Sequence, residues 1–149
     1  MREAANIAIE NVDRGGGPFG AIIVRNDTII GRGANSVTNN LDPTAHAEVM
    51  AIREACAATG SFKLEGAVLY SSCEPCPMCL AAAYWARIER IVFGCTQKDA
   101  ANIGFDDAFL YQEISRPRSE RTLPTDMCGR ETALRSFHRW ETKEDKIPY

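Results

Sequence analysis

Two short stretches carry side chains whose types and spacing can do chemistry together: Thr44-Ala45-His46-Ala47-Glu48 and, further along, Pro75-Cys76-Pro77-Met78-Cys79. One imidazole and two thiolates make three protein ligands for Zn²⁺ and leave the fourth tetrahedral position open to water, whereas a closed structural site needs a fourth protein ligand. The carboxylate of Glu48, two residues from the histidine, is the proton carrier that such a water requires. The pattern therefore reads as hydrolysis rather than scaffolding, with His46, Cys76 and Cys79 holding one zinc per chain.

These side chains need elements to bring them together. A helix opening at Asp42-Pro43-Thr44 and ending at Gly60 carries His46 and Glu48 in its first turn; Ala45, Val49, Ile52 and Cys56 supply its apolar stripe. A second helix, 76–87, places Cys76 and Cys79 one turn apart at its N-terminal end, where the helix dipole favours thiolates. Phe19–Val24 is a nearly continuous apolar run, as expected of a strand buried on both faces. Asn26-Asp27 fits a two-residue hairpin turn into a strand at 28–32. Further strands are expected at 66–71 and 90–94, with helices over 2–13, around 97–102, and through Ala133, Phe137 and Trp140. Strands alternating with helices predict an α/β layered sheet, and ligands of open α/β sheets bind beyond the strand ends.

Composition sets the class. At 149 residues the chain is one domain's worth, and 45% hydrophobic with 25% charged residues is ordinary for a globular protein. No apolar run approaches the ~20 residues that span a bilayer, and the start lacks the apolar core of a signal peptide, so the expected compartment is the cytoplasm, without a membrane partner. The net charge is −3 and the arginines and lysines of 111–149 are interspersed with acids. No basic stripe of the kind that grips a phosphate backbone is evident, which argues against a nucleic-acid partner. The glycine run Gly15-Gly16-Gly17 is a helix stop and not a phosphate loop, because no Gly-Lys-Ser/Thr follows it.

The six cysteines divide into a cluster, Cys73, Cys76 and Cys79, and three scattered members, Cys56, Cys95 and Cys128. Clustered thiols in a chain with a full core point to metal or catalysis, and the scattered ones read as small buried hydrophobes. Cys73-x-x-Cys76-x-x-Cys79 also imitates the opening of an iron–sulfur run, but Ala83 and Tyr84 stand where the fourth cysteine and its proline belong. A non-catalytic zinc or iron–sulfur protein is therefore the alternative of a different class. Cys73 can replace Cys76 as ligand on spacing alone; Cys76 and Cys79 are preferred because they share a helical face.

With these motifs the sequence resembles the cytidine-deaminase-like superfamily, and within it the bacterial guanine deaminases. The likeness runs from Gly16-Gly17-Pro18-Phe19-Gly20 to Tyr149, through Asn35-Ser36-Val37, the two metal motifs, Tyr84-Trp85-Ala86-Arg87 and Gly104-Phe105-Asp106-Asp107. It implies a three-layer α/β/α sandwich around a five-stranded mixed sheet, and a single deaminase domain over 1–149 that forms a homodimer. It further implies that segment 130–149 is exchanged between subunits, bringing Tyr149 into the partner's pocket. The implied reaction is hydrolytic deamination of guanine to xanthine and ammonia in purine metabolism. In it Glu48 moves protons between water, ring nitrogen and departing amine, and Asp107 reads the amidine edge and shares proton transfer. Asn35 is implied as a purine ligand, although by type alone it serves equally as a turn residue. Phe19 and Trp85 are candidates to stack on the base, or to pack in the core. Glu74 reads either as a support for the ligands or as a helix-start acid. Guanosine deaminase and tRNA adenosine deaminase are the alternatives within the superfamily, and triazines that imitate the guanine edge are side-substrate candidates.

Overall fold

Asn26 and Asp27 both take left-handed backbone angles (φ 51° and 57°), which lets a two-residue turn fold strand β1 (Gly20–Arg25) back on β2 (Thr28–Ala34). The structure, a computed structural model, describes residues 1–105 and 107–149. Strand β1 lies between β2 and β3 (Val68–Cys73), antiparallel to both, and β4 (Arg90–Cys95) runs parallel to β3, so the order is β2-β1-β3-β4. The mixed sheet is as expected but has four strands rather than five. After β4 the described residues form no further strand; Pro117 and Pro124 flank a single 3-10 turn, Arg118–Glu120, in the stretch 116–129, and proline cannot donate to a ladder.

Helices cover both faces, and missing side chains decide how closely. Opposed residues of an antiparallel pair share a face, so Ala21, Gly33, Ile23 and Gly31 look one way while Gly20 and Ile22 look the other. A Cβ on Gly20 would lie 2.4 Å from the Ala4 carbonyl of helix α1 (Arg2–Asp13). On the opposite face a Cβ on Gly33 would lie 2.0 Å from the Ala47 carbonyl, and one on Gly31 would lie 2.4 Å from the Ala51 carbonyl. Both carbonyls belong to α3 (Ala47–Thr59), which follows the short helix α2 (Val37–Asn40). That close approach corrects the expected stripe. Ala47, Glu48, Ala51, Ile52 and Ala55 are buried, while Val49 and Cys56 are only half-buried, because the glycine-bearing strand admits alanines and pushes wider side chains to the shoulders. The helix also starts later than expected. The Asp42 carboxylate accepts from the Thr44 amide and hydroxyl at 2.8 and 2.7 Å and closes a local turn, so that His46 becomes the N-cap.

Gly33→Ala should therefore force α3 off the sheet. We expect a loss of about 2–3 kcal/mol in stability, the size of an overpacked core, read as a lowered midpoint in thermal unfolding. An unchanged midpoint would mean that the helix does not rest on this glycine.

Helix α4 (Pro77–Trp85) has Cys76 as its N-cap and a proline in its first turn. After β4, Thr96 and Asp99 form a reciprocal cap on α5 (Gln97–Asn102). Helix α6 (Ala108–Ser115) leads into a second compact unit, Tyr111–Tyr149, distinct from Met1–Leu110. Within that unit Glu113 accepts from the Thr122 amide and hydroxyl (2.7 and 2.8 Å) and from Arg116 (2.6 Å). It also contains α7 (Arg130–Glu141), on which Phe137 and Trp140 are exposed. Cys95 and Cys128 are exposed too, and Cys56 is half-buried, which corrects the expectation that all three are core residues: Cys95 closes a sheet-edge strand and Cys128 lies in the loop before α7. No helix among the described residues is long and apolar enough to cross a membrane.

Candidate active site

The chemistry-bearing residues collect where two helices begin. His46 caps α3 and Glu48 sits in its first turn; Cys76 caps α4 and Cys79 sits in its first turn, just past the end of β3. Both helix N-termini present positive dipole ends, which stabilise thiolate and carboxylate charge. His46 Nδ1 lies 3.6 Å from Cys76 Sγ and 3.5 Å from Cys79 Sγ, and the sulfurs lie 3.6 Å apart. Bonds of about 2.3 Å to sulfur and 2.0–2.1 Å to nitrogen at tetrahedral angles would separate ligand atoms by about 3.6–3.8 Å. The donor set and its spacing fit zinc, and these three residues form the His/Cys group able to hold a metal among the described residues. Cys73 is not part of it. Its Sγ instead faces the Thr96 carbonyl at 3.6 Å, which resolves the choice that spacing left open.

Protonation follows from the same contacts. The Cys79 thiol and the His46 imidazole hold Cys76 down to about 4, against the opposing effect of burial. The Cys76 thiolate in turn pushes Cys79 and His46 up. Burial, with Cys95 adding to it, raises Cys73 to about 11. It therefore stays a neutral thiol, unlike a metal ligand.

Glu48 is buried, and burial raises its pKa, which suits a group that must both take and return a proton. Ser71 Oγ donates to Glu48 Oε1 at 3.1 Å. Ser71 escaped the sequence reading. The available signal was its alternation in β3: it shares the α3-facing side with Leu69, so a polar residue occupies an apolar position. Glu74 accepts from the Gln97 amide at 3.1 Å and its own amide donates to the Cys95 carbonyl at 2.8 Å. It thus ties the loop before α4 to the start of α5.

These groups open on a cavity of about 520 Å³, within the usual range for small-molecule sites. Asn35, Phe19 and Asp107 line it with His46, Glu48 and Cys76. Asn35 is buried, and its side-chain amide has no protein hydrogen-bond partner among the described residues. Phe19 is fixed edge-on by Phe105, with ring centroids 4.9 Å apart; Phe105, also lining the cavity, was not singled out from sequence. Asp106 lies outside the described residues. Within one chain the structure does not bring Trp85 to this cavity: it ends α4, a helix length from Cys76, and is 60% exposed. Tyr149 belongs to the second unit, where it is 74% exposed.

Comparison with known proteins points the same way. Residues 1–95 match the family described as the cytidine and deoxycytidylate deaminase zinc-binding region. The chain is 47% identical to guanine deaminase of Bacillus subtilis over 150 aligned residues, covering 100% of this chain and 96% of that one. The X-ray structure of Bacillus subtilis guanine deaminase superposes with a TM-score of 0.96 at 48% identity, covering 99% of this chain and 95% of that one. A tRNA-specific adenosine deaminase of Bacillus subtilis is 45% identical, but over 63% of this chain and 58% of its own length.

Proposed function

The chain belongs to the zinc-binding family of cytidine and deoxycytidylate deaminases, and from that premise we propose that it hydrolyses free guanine to xanthine and ammonia. One observation carries the choice of base: the likeness to a guanine deaminase spans the entire chain, second unit included, at 47% identity, whereas two tRNA-specific adenosine deaminases are 45% and 42% identical over 63% and 87% of it. His46, Cys76 and Cys79 hold one zinc per chain. When bound, the metal supplies a Lewis acid that brings the pKa of water toward ~7.

The chain's own residues do the rest. Ser71 holds one oxygen of Glu48 and so orients the carboxylate that takes a proton from water as the water oxygen adds to guanine C2. Glu48 passes that proton to the ring nitrogen, then takes the remaining proton from the hydroxyl now on C2 and delivers it to the exocyclic amine. The C2–N bond breaks, ammonia leaves, and xanthine remains. A backbone N–H near Cys76 steadies the developing charge. Asp107 accepts from the adjacent N–H donors of the amidine edge, for which a carboxylate is the matching partner. Asn35 hydrogen-bonds the purine, and Phe19 packs on its face.

The working form is a cytoplasmic homodimer in which segment 130–149 crosses to the neighbour and Tyr149 of the partner subunit closes the pocket over the free base. The exposed Phe137, Trp140 and Tyr149 are consistent with a tail that is covered by another chain. The test is ammonia release from guanine, guanosine, cytosine and adenine, run on a preparation weighed by light scattering. Guanine is expected to be the preferred substrate, at twice the chain mass. Activity on cytosine alone overturns the purine assignment, preference for guanosine moves it to the nucleoside, and a monomer removes the exchanged tail.

A further inference from the structure

We infer that Asn11, in the last turn of α1 and outside the reacting groups, is a positioning residue that sets the Asn35 amide against the base and so governs guanine affinity. The inference rests on the reading above in which Asn35 binds the purine. Asn11 is only 6% exposed. Its Nδ2 donates to the Gly17 carbonyl and to the Asn35 carbonyl, each at 2.8 Å, so both of its amide protons are used. Asparagine is a poor residue for a helix interior. These two bonds to chain segments outside the helix are what the position gains in exchange.

The contacts around it explain the glycine run. Gly16 donates to the Asn11 backbone carbonyl at 2.8 Å, and a Cβ on Gly16 would lie 2.4 Å from Asn11 Nδ2 and 2.7 Å from its Oδ1. A Cβ on Gly17 would lie 3.0 Å from Asn35 Oδ1. Asn35 itself is gripped on both sides, its N–H donating to the Phe19 carbonyl at 3.0 Å and its carbonyl accepting from Asn11. Its side-chain amide is thereby left to the cavity. Gly16, Gly17, Phe19 and Asn35 all line that cavity, and one buried amide touches or fixes the backbone of three of them. Without it, two carbonyls lose a donor in a region that water enters poorly, and the loop must shift to find others. A shift of a few tenths of an ångström at Asn35 changes a hydrogen bond to substrate while leaving His46, Cys76, Cys79 and Glu48, which sit on other elements, in place.

The test is a mutant cycle on the zinc-loaded, full-length protein, with kcat and KM for guanine and zinc content as readouts. Asn35→Ala should raise KM about tenfold, the size of one neutral hydrogen bond. Asn11→Ala should raise it by a similar factor, with kcat within about threefold and zinc content unchanged. On the Asn35→Ala background Asn11→Ala should add nothing, because its effect passes through Asn35. Gly16→Ala supplies a second route that keeps the Asn11 side chain. Its Cβ displaces the amide, so KM should rise in the same way, and on the Asn11→Ala background the added methyl should be harmless. An unchanged KM in Asn11→Ala, or a full further rise on the Asn35→Ala background, overturns the positioning role while leaving Asn35 as a ligand. An Asn35→Ala variant with unaltered KM removes Asn35 from substrate binding, and Asn11 with it.

Discussion

Glu48→Ala is expected to keep its zinc and to lose turnover by roughly 10³-fold or more, the upper part of the range for a positioned general acid–base group. The expectation rests on separation of roles. The three metal-holding atoms lie within 4.8 Å of one another, and Glu48 is not one of them. Its carboxylate instead takes a hydrogen bond from the nearly inaccessible Ser71, which orients it from the sheet side. Burial holds its pKa above the usual carboxylate range, so it can take a proton from water and give it up again within one turnover. Glu48→Gln is the sharper control, since it preserves shape and can still pair with Ser71 but cannot accept the proton. Both variants should bind guanine and show one zinc per chain by metal analysis. Near-normal ammonia release from either metal-loaded variant would remove Glu48 from the mechanism.

Cys79→Ala should abolish zinc retention and reduce activity to background, whereas Cys73→Ala should retain both. Cys79 is fully buried beneath Cys76 and His46, and losing one of three protein ligands leaves a set too weak to hold the ion. Cys73 faces the Thr96 carbonyl and contributes packing. Chelation of the unmodified protein should likewise stop turnover, and readded zinc should restore it. The sign of the pH dependence follows from the thiols. Cys76, held at about 4, is already a thiolate at neutral pH, while Cys79 is pushed up and keeps its proton until metal binds. Zinc uptake must then release that proton, so apparent affinity should fall about tenfold for each pH unit lowered, with any protonated His46 steepening the loss. Titration of the metal-free protein with zinc in weak buffer reads the released proton directly. Retention of zinc by Cys79→Ala would show that another group completes the site.

Much of this site was legible in the linear sequence because its chemistry is local. Two cysteines a helical turn apart share one end of a helix, and a histidine with a glutamate two residues on can both reach off the end of a helix that starts between them. The turn at Asn26-Asp27, the stop at Gly60 and the four strands were equally legible, since left-handed turn residues and runs of alternating or continuous apolar character act over a few residues. The substrate side was less so. Asn35 and Asp107 gained a role only through resemblance to guanine deaminases, because a single amide or carboxylate in a loop has many uses.

What the sequence by itself determined was the ligand chemistry, the proton carrier and the α/β pattern, each encoded within one element. Only the tertiary structure decided which imidazole nitrogen faces the sulfurs, that Cys73 turns away, that Ser71 braces Glu48 from a strand 23 residues distant, and that Asn11 holds the loop beneath Asn35. It also decided that Trp85 stands outside the cavity of its own chain and that alanines, not Val49 and Cys56, face the sheet. The reason is common to all of these. They depend on how one element rests on another, a property no single helix or strand carries in its own periodicity; for α3 on the sheet that distance is set by hydrogen atoms standing where side chains would be, at Gly31 and Gly33.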